Sequence, residues 1–386
     1  MRVALVHEWL VNIRGSEHVL LRLARLFPDA AIFVSVLKPS ALPEELSSRD
    51  VRTTFIQKLP RASSLYQTYL PLMPLAFESL DLQDYDLVIS SSHACAKGVI
   101  TAPQAKHICY CHTPMRYAWS EYHRYRQHTR GPIRRFASTL LLHYLRLWDV
   151  SSSARVDHFI ANSSEVAARI ARYYGRSAEI IPPPVERIVQ AEEDSAVQTR
   201  PLLLPRFFDA HPFYLFLGRL VPYKRLDLAV AACERLGAPL VVAGDGSRMD
   251  EPRHGNSATE RGTGRAEQTA YLGPVTDAEA RWLFAHCQAF LFPGLEDFGI
   301  TMVEALSFGK PVVAYARGGA LDIIRDGRNG VLFREPTAKA LAEAMERLQQ
   351  ITFDPDEIKS SALAFHPDYF DERVRSAVSR VLTEQS

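Results

Sequence analysis

The sequence predicts an α/β protein built of two doubly wound domains, and three observations lead there. Its 386 residues exceed one ordinary core and suit two domains of somewhat under 200 residues each. Short apolar runs alternate with longer helix-like segments almost throughout, the pattern of parallel sheets joined by crossover helices. That alternation breaks once, at Ile180-Ile181-Pro182-Pro183-Pro184-Val185, where three prolines without backbone N–H groups end a strand. The chain is therefore divided into an N-terminal domain over 1–185, a C-terminal domain over 186–365 and a terminal helical segment over 366–386.

In the first half, residues 2–7 read as a buried strand. A helix over 16–27 follows, turning Leu20, Leu21, Leu23, Ala24 and Phe27 inward. Further strands are expected at 31–36, 87–90, 107–111 and 158–161. The acidic run Glu192-Glu193-Asp194 separates the halves. Strands then restart at 213–217 and recur at 240–243, 269–272, 289–292, 311–314 and 330–333, with helices between and a last helix over about 369–382. Residues 252–266 are polar and glycine-rich without an apolar period, so they read as a surface insertion, and their Gly262-Thr263-Gly264 lacks the preceding strand of a dinucleotide fingerprint.

Composition excludes several classes. Apolar residues make up 47% and charged residues 23%, as in soluble globular proteins. Net charge is +1, but 1–190 carries 23 basic against 16 acidic side chains and the remainder 22 against 28, giving halves of about +7 and −6. A globally basic nucleic-acid binder is excluded, and the basic half favours an anionic surface or acceptor. The five cysteines are scattered, without a CxxC pair for zinc or dithiol chemistry. The opening MRVALVHEWLV is too short an apolar run for a signal peptide, and no run of about 18 apolar residues would span a membrane, so a cytoplasmic location is expected. Asn162-Ser163-Ser164 then reads as the polar start of a helix rather than a glycosylation site.

The strongest chemical signal is Glu296-Asp297-Phe298-Gly299-Ile300-Thr301-Met302-Val303-Glu304, which follows a strand and opens a helix. Glu296 falls on the loop and Glu304 one turn inside. Amides of Gly299, Ile300 and Thr301 at the helix start suit a phosphate. Gly218-Arg219-Leu220-Val221-Pro222-Tyr223-Lys224 places two cations and a glycine on one strand-to-helix turn, a diphosphate seat, unless Asp227 neutralises Lys224 as a helical pair. In the first half, Arg14-Gly15-Ser16-Glu17 after His7 is either a second anion seat at Gly15 or a plain helix cap at Ser16. His112, in His112-Thr113-Pro114, ends another strand.

Taken together, these four motifs resemble glycosyltransferase family 4, retaining enzymes of the GT-B fold, whose two Rossmann-like domains face a central cleft. The resemblance covers nearly the whole chain. CHTPMRYAW at 111–119 and VALVHEWL near the start are similar to bacterial mannosyltransferases of O-antigen and exopolysaccharide assembly. The resemblance implies that Arg219 and Lys224 bind the donor diphosphate with Gly15 and Gly218, that Glu304 binds the ribose, and that Glu296 and His112 contact the transferred sugar. Phe298 and Val275, the latter in the base-recognising loop Gly273-Pro274-Val275, complete the donor set. One departure is that the first loop holds only Gly15 where many members carry two adjacent glycines.

The expected activity is transfer of a sugar, mannose from GDP-mannose, to a lipid-linked acceptor without a metal or other cofactor. The alternatives are a UDP-sugar donor or a non-catalytic nucleotide-sugar binding protein. Asp84-Tyr85-Asp86 and Asp354-Pro355-Asp356 match a metal-binding DxD pattern only at a strand entry and a proline-marked turn. A glycoside hydrolase using Glu296 and Glu304 is disfavoured by the cations, and an oxidoreductase by the missing GxGxxG. Residues 116–155 hold eight arginines (Arg116, Arg124, Arg126, Arg130, Arg134, Arg135, Arg146, Arg155) interleaved with aromatics, against Glu121 and Asp149. That segment suits either the anionic inner face of the plasma membrane, a lipid diphosphate, or an ordinary surface helix over core aromatics.

Overall fold

The computed structural model describes residues 1–13, 15–128, 131–186, 199–246 and 268–383, the side chains of residues 124 and 128 excepted. Arg14, Arg130, the acidic run Glu192-Glu193-Asp194 and the polar 252–266 segment lie outside the described residues. The chain forms two units, Met1–Pro184 together with Pro367–Ser386, and Val185–His366.

The first unit carries seven parallel strands: β1 (Val3–His7), β2 (Ala31–Val34), β3 (Val51–Thr53), β4 (Leu87–Ser92), β5 (Lys106–Cys111), β6 (His158–Ala161) and β7 (Glu179–Ile180). Their spatial order is β3-β2-β1-β4-β5-β6-β7, so the direction of winding reverses between β1 and β4. Its longer helices include α1 (Gly15–Leu26), α2 (Tyr122–His128), α3 (Pro132–Ser153) and α4 (Ser164–Tyr174). Ser163 caps α4, its hydroxyl accepting from Val166 N at 3.2 Å, so the Asn-Ser-Ser run is a helix start as predicted.

Most of these strands are continuous apolar runs because both sheet faces are covered. Leu5, Ile32 and Ile89 pack with α1 on one face, and Ala4, Val6 and Val88 pack with Leu142, Leu145 and Trp148 of α3 on the other. Two strands depart from expectation. β3 is a three-residue edge strand with Arg52 exposed, too short and polar for an apolar pattern. β4 runs two residues past the predicted end at Ser90, because each of its serines is buried with an internal partner: Ser90 Oγ lies 2.8 Å from His107 Nε2, Ser91 Oγ 2.8 Å from His112 Nε2, and Ser92 Oγ donates to Glu8 at 2.9 Å.

The arginine-rich segment divides. Its tryptophans are internal, Trp119 donating to Asp149 at 2.8 Å and Trp148 to Glu78 at 2.8 Å. Asp149 is buried and also takes Lys97 Nζ at 2.6 Å and the Tyr174 hydroxyl at 2.9 Å, so it does not offset the surface arginines. The opposite side of α3 exposes Ile133, Phe136, Leu140, Tyr144 and Leu147, each between 47% and 83% accessible. At 100° per residue these five share one stripe, leaving α3 apolar on two faces.

The second unit holds β8 (Tyr214–Leu217), β9 (Leu240–Ala243), β10 (Thr269–Gly273), β11 (Ala289–Phe292), β12 (Val312–Tyr315) and β13 (Gly330–Phe333). All are parallel in the order β10-β9-β8-β11-β12-β13, with winding reversed between β8 and β11. Its helices are α5 (Leu226–Leu236), α6 (Asp277–His286), α7 (Ile300–Ser307), α8 (Ala338–Gln349) and α9 (Pro355–Ala362). Asp354 caps α9 through Asp356 N at 2.9 Å, so the second DxD match is a helix start rather than a turn. The last helix, α10 (Pro367–Thr383), belongs to the first unit, where Phe370, Val374, Val378 and Val381 join the core under α1 and Arg22 grips Asp371 at 2.6 and 2.9 Å. No described helix is long and apolar enough to cross a membrane.

Candidate functional site

In open α/β sheets the strand ends at a winding reversal leave a crevice for ligands, and the predicted residues fall at both reversals. In the second unit the turn after β8 and the loop after β11 meet there. Lys224 Nζ lies 2.8 Å from Glu296 Oε1 as an ion pair, off the line of a hydrogen bond, so Oε1 is buried without an aligned donor. Both side chains are mostly buried, at 13% and 19% exposure. Asp227 does not neutralise Lys224 but pairs with Arg225 at 2.9 Å, because α5 begins only after Arg225 turns left-handed at φ +56°. Arg219 is exposed and donates to the Tyr223 hydroxyl at 3.1 Å.

Backbone lines this crevice. A Cβ on Gly218 would lie 2.8 Å from Lys224 Nζ, one on Gly294 2.7 Å from Lys224 Cα, and one on Gly318 2.3 Å from the Glu296 carbonyl. These glycines let three loops close around one lysine and one glutamate. Gly299, at φ +100°, begins α7 without a side-chain cap, so the first amides of α7, including Ile300 and Thr301, have no capping side chain. Glu304 is buried one turn inside α7. Phe298 is a core residue, its ring 5.6 Å edge-on from Phe365, so only its backbone is free to meet a ligand. Val275 packs partly buried on the same core just before the Thr276–Glu279 capping box of α6.

At the reversal in the first unit, side chains replace backbone. His7 ends β1, fully buried, with Nδ1 3.1 Å from both the carbonyl and the hydroxyl of Ser91, its register partner on β4. His112 follows β5 half-buried, its Nε2 against the same hydroxyl. The His93 ring stands 6.4 Å from His7 and 6.3 Å from His112. Burial, with the charges of His93 and His7 adding to it, pushes the pKa of His112 well below the usual imidazole range. Gly15 opens α1 and is exposed. Ser16 lies inside α1 rather than at its cap position, and its hydroxyl donates to Glu17 Oε2 at 3.0 Å.

Two carboxylates that sequence reasoning passed over organise this cluster. Glu8 Oε1 accepts from Ser92 Oγ and from the amides of His93, Ala94 and Ala96, and Oε2 from Cys95 N, all between 2.7 and 3.1 Å. Burial alone would raise its pKa, but the charge of His93 and the amide donors hold it below the usual carboxylate value. Glu17 Oε1 stands 3.7 Å from His7 Nε2; burial raises its pKa, and the contact with His7 outweighs that to leave it at about 2. The one signal for Glu8 was a charged residue directly after an apolar strand.

Comparison with known proteins follows this division. The family model "Glycosyltransferase Family 4" matches residues 13–187, and "Glycosyl transferases group 1" matches 205–361. A D-inositol 3-phosphate glycosyltransferase of a Nocardioides species is 30% identical over 227 residues, which is 54% of this chain and 49% of that protein. An O-antigen chain mannosyltransferase C of Escherichia coli is 32% identical over 140 residues, 35% of this chain and 36% of that one. The chain thus spans half or less of the length of these relatives. A crystal structure of Anabaena HepE in complex with UDP superposes with a TM-score of 0.68 at 17% identity, covering 98% of this chain and 100% of that one, a likeness of fold. With one model over each unit and a winding reversal in each sheet, the chain belongs to the family 4 glycosyltransferases of the GT-B fold.

Proposed function

We propose that this chain transfers a sugar from a nucleotide-sugar donor to an acceptor hydroxyl with retention of configuration, and the buried Lys224–Glu296 pair in its glycine-lined crevice carries that reading. A diphosphate competes with Glu296 for Lys224. Its binding releases the carboxylate to accept hydrogen bonds from hydroxyls of the transferred sugar. Arg219 and the first amides of α7 share the phosphate charge, and Glu304 holds the ribose diol. In the first unit, taken by itself, His112 is read as a sugar contact and Gly15 as an anion seat.

As the bond from the anomeric carbon to the diphosphate breaks, negative charge grows on the leaving oxygen, where Lys224 and the helix amides stabilise it without a metal. The acceptor oxygen bonds to the same carbon and its proton passes to the departing phosphate oxygen. The likeness to the Escherichia coli O-antigen chain mannosyltransferase supports mannose as the transferred sugar, and we take GDP-mannose as its donor and a lipid-linked saccharide as its acceptor. A UDP-sugar is the second reading, favoured by the fold likeness to a UDP-bound protein.

The exposed apolar stripe of α3, beside exposed Arg126, Arg134 and Arg135, supports a peripheral seat on an anionic membrane that carries such an acceptor. A panel of radiolabelled GDP- and UDP-sugars, offered with lipid-linked acceptors in the presence of a chelator, tests the whole reading. Mannose transfer from GDP-mannose is expected. Transfer only from a UDP-sugar replaces the donor assignment, strict dependence on Mn²⁺ overturns the metal-free mechanism, and binding without turnover leaves a nucleotide-sugar sensor.

A further inference from the structure

A chain of polar contacts links His112 to the first turn of α1. His112 Nε2 lies 2.8 Å from Ser91 Oγ, Ser91 Oγ 3.1 Å from His7 Nδ1, and His7 Nε2 3.7 Å from Glu17 Oε1. The protons on this chain can be counted. The Ser91 carbonyl, 3.1 Å from His7 Nδ1, can only accept, so His7 Nδ1 carries a proton. Ser91 Oγ then has no acceptor on its His7 side, and its single proton goes to the nearer nitrogen, His112 Nε2. Were His112 Nε2 protonated instead, the buried serine proton would have no partner, which is unfavourable. His112 therefore accepts through Nε2 and, as a neutral ring, carries its proton on Nδ1. Among the described residues no protein group is hydrogen-bonded to that Nδ1.

We propose that Ser91, His7 and Glu17 are positioning residues that lock His112 as the Nδ1–H tautomer, making it a fixed hydrogen-bond donor rather than a proton-exchanging base. Glu17 stands at the far end of the chain, its buried carboxylate 3.7 Å from His7 Nε2, beyond hydrogen-bond reach, so it acts on the ring through its charge. The other titratable ring facing this array is His93 on the β4–β5 connection, and Tyr110 on β5 packs 5.1 Å from His112. The pKa of His93 is itself lowered by burial, against the opposing charge of Glu8. The carboxylate that ends the relay sits two residues beyond Gly15, so the phosphate seat proposed for α1 and the sugar contact proposed for His112 hang on one set of bonds. The target of the donor, a hydroxyl of the transferred sugar, rests on the transferase reading, whereas the tautomer does not.

Nitrogen-15 NMR of the whole chain labelled at histidine tests this directly. The expected spectrum has His112 with a protonated Nδ1 and a bare Nε2. Ser91→Ala should release the ring into a mixture of tautomers, and Ser91→Thr should restore the wild-type pattern. In turnover assays Ser91→Ala should lower kcat by roughly tenfold, less than the 10²–10³-fold of removing a donor outright because the ring stays in place, with KM nearly unchanged, and Ser91→Thr should recover most of it. A protonated Nε2 in the wild type, or an unchanged tautomer in Ser91→Ala, overturns the proposal. Circular dichroism and thermal melting of both variants separate misfolding from loss of the lock. If no nucleotide-sugar is turned over, the transferase reading fails while the NMR result still decides the tautomer.

Discussion

The two units repeat one topology and fill it with opposite chemistry. Both sheets reverse their winding beside their first strand, yet the crevice in the second unit is lined by glycine backbone around one ion pair, and that in the first by buried histidines, serines and two carboxylates. A backbone-lined crevice offers unpaired amides and room for a large anion. A side-chain-lined one commits most of its polar atoms to internal bonds and offers a few oriented atoms. Ligand affinity is therefore expected to reside in the second unit and ligand orientation in the first.

That contrast can be broken most sharply at Glu8. Glu8→Ala removes one buried carboxylate and strands five donors, and about 3–5 kcal/mol of stability should be lost, as when one partner of a buried charge pair is deleted. Urea unfolding of the whole chain should show an early transition for the first unit and a normal one for the second. A single unshifted transition would mean the carboxylate is not holding the β4–β5 turn.

Next comes Lys224→Ala, expected to lower kcat/KM by about 10²–10³-fold, the usual effect of removing one preorganised electrostatic donor, with a smaller loss of stability than Glu8→Ala because both side chains of the pair reach solvent. A stability loss with activity intact would make the ion pair structural. Glu17 supplies a pH test. Its pKa falls from 4.5 to about 2 on folding, so its contribution is present above pH 4.5 and is lost as pH drops toward 2. Wild type should shed up to about 3 kcal/mol over that window, and Glu17→Gln should flatten the curve there. The smallest effect is expected for Arg219→Ala. Its guanidinium is exposed and screened, so a loss of roughly fivefold in kcat/KM is expected, larger at low salt.

Much of the fold was legible because apolar runs in a doubly covered parallel sheet need no partner to be recognised. What escaped was set by residues far apart in sequence. Ser91 and Ser92 fell outside the predicted strand because serine favours turns, and only partners at positions 112 and 8 keep them in it. Glu8 shows locally only as a charge directly after an apolar strand, since its donors lie 84–88 residues away. Lys224 and Glu296 each stood out in a motif, but their contact depends on glycines at 218, 294 and 318 that no spacing rule links. The outward stripe of α3 was hidden for another reason: apolar residues on two faces of one helix look like one thick core face.

The return of α10 to the first unit bears on synthesis. Phe370, Val374, Val378 and Val381 cover apolar residues of β1 and α1, yet a ribosome must make all of Val185–His366 before they emerge. At roughly 5–20 residues per second, the leading segment waits on the order of ten to forty seconds with that surface bare, while the second unit, uninterrupted in sequence, folds at once. Nascent chains stalled before residue 367 are then the ones a chaperone should find, and the second unit is the part that should survive excision.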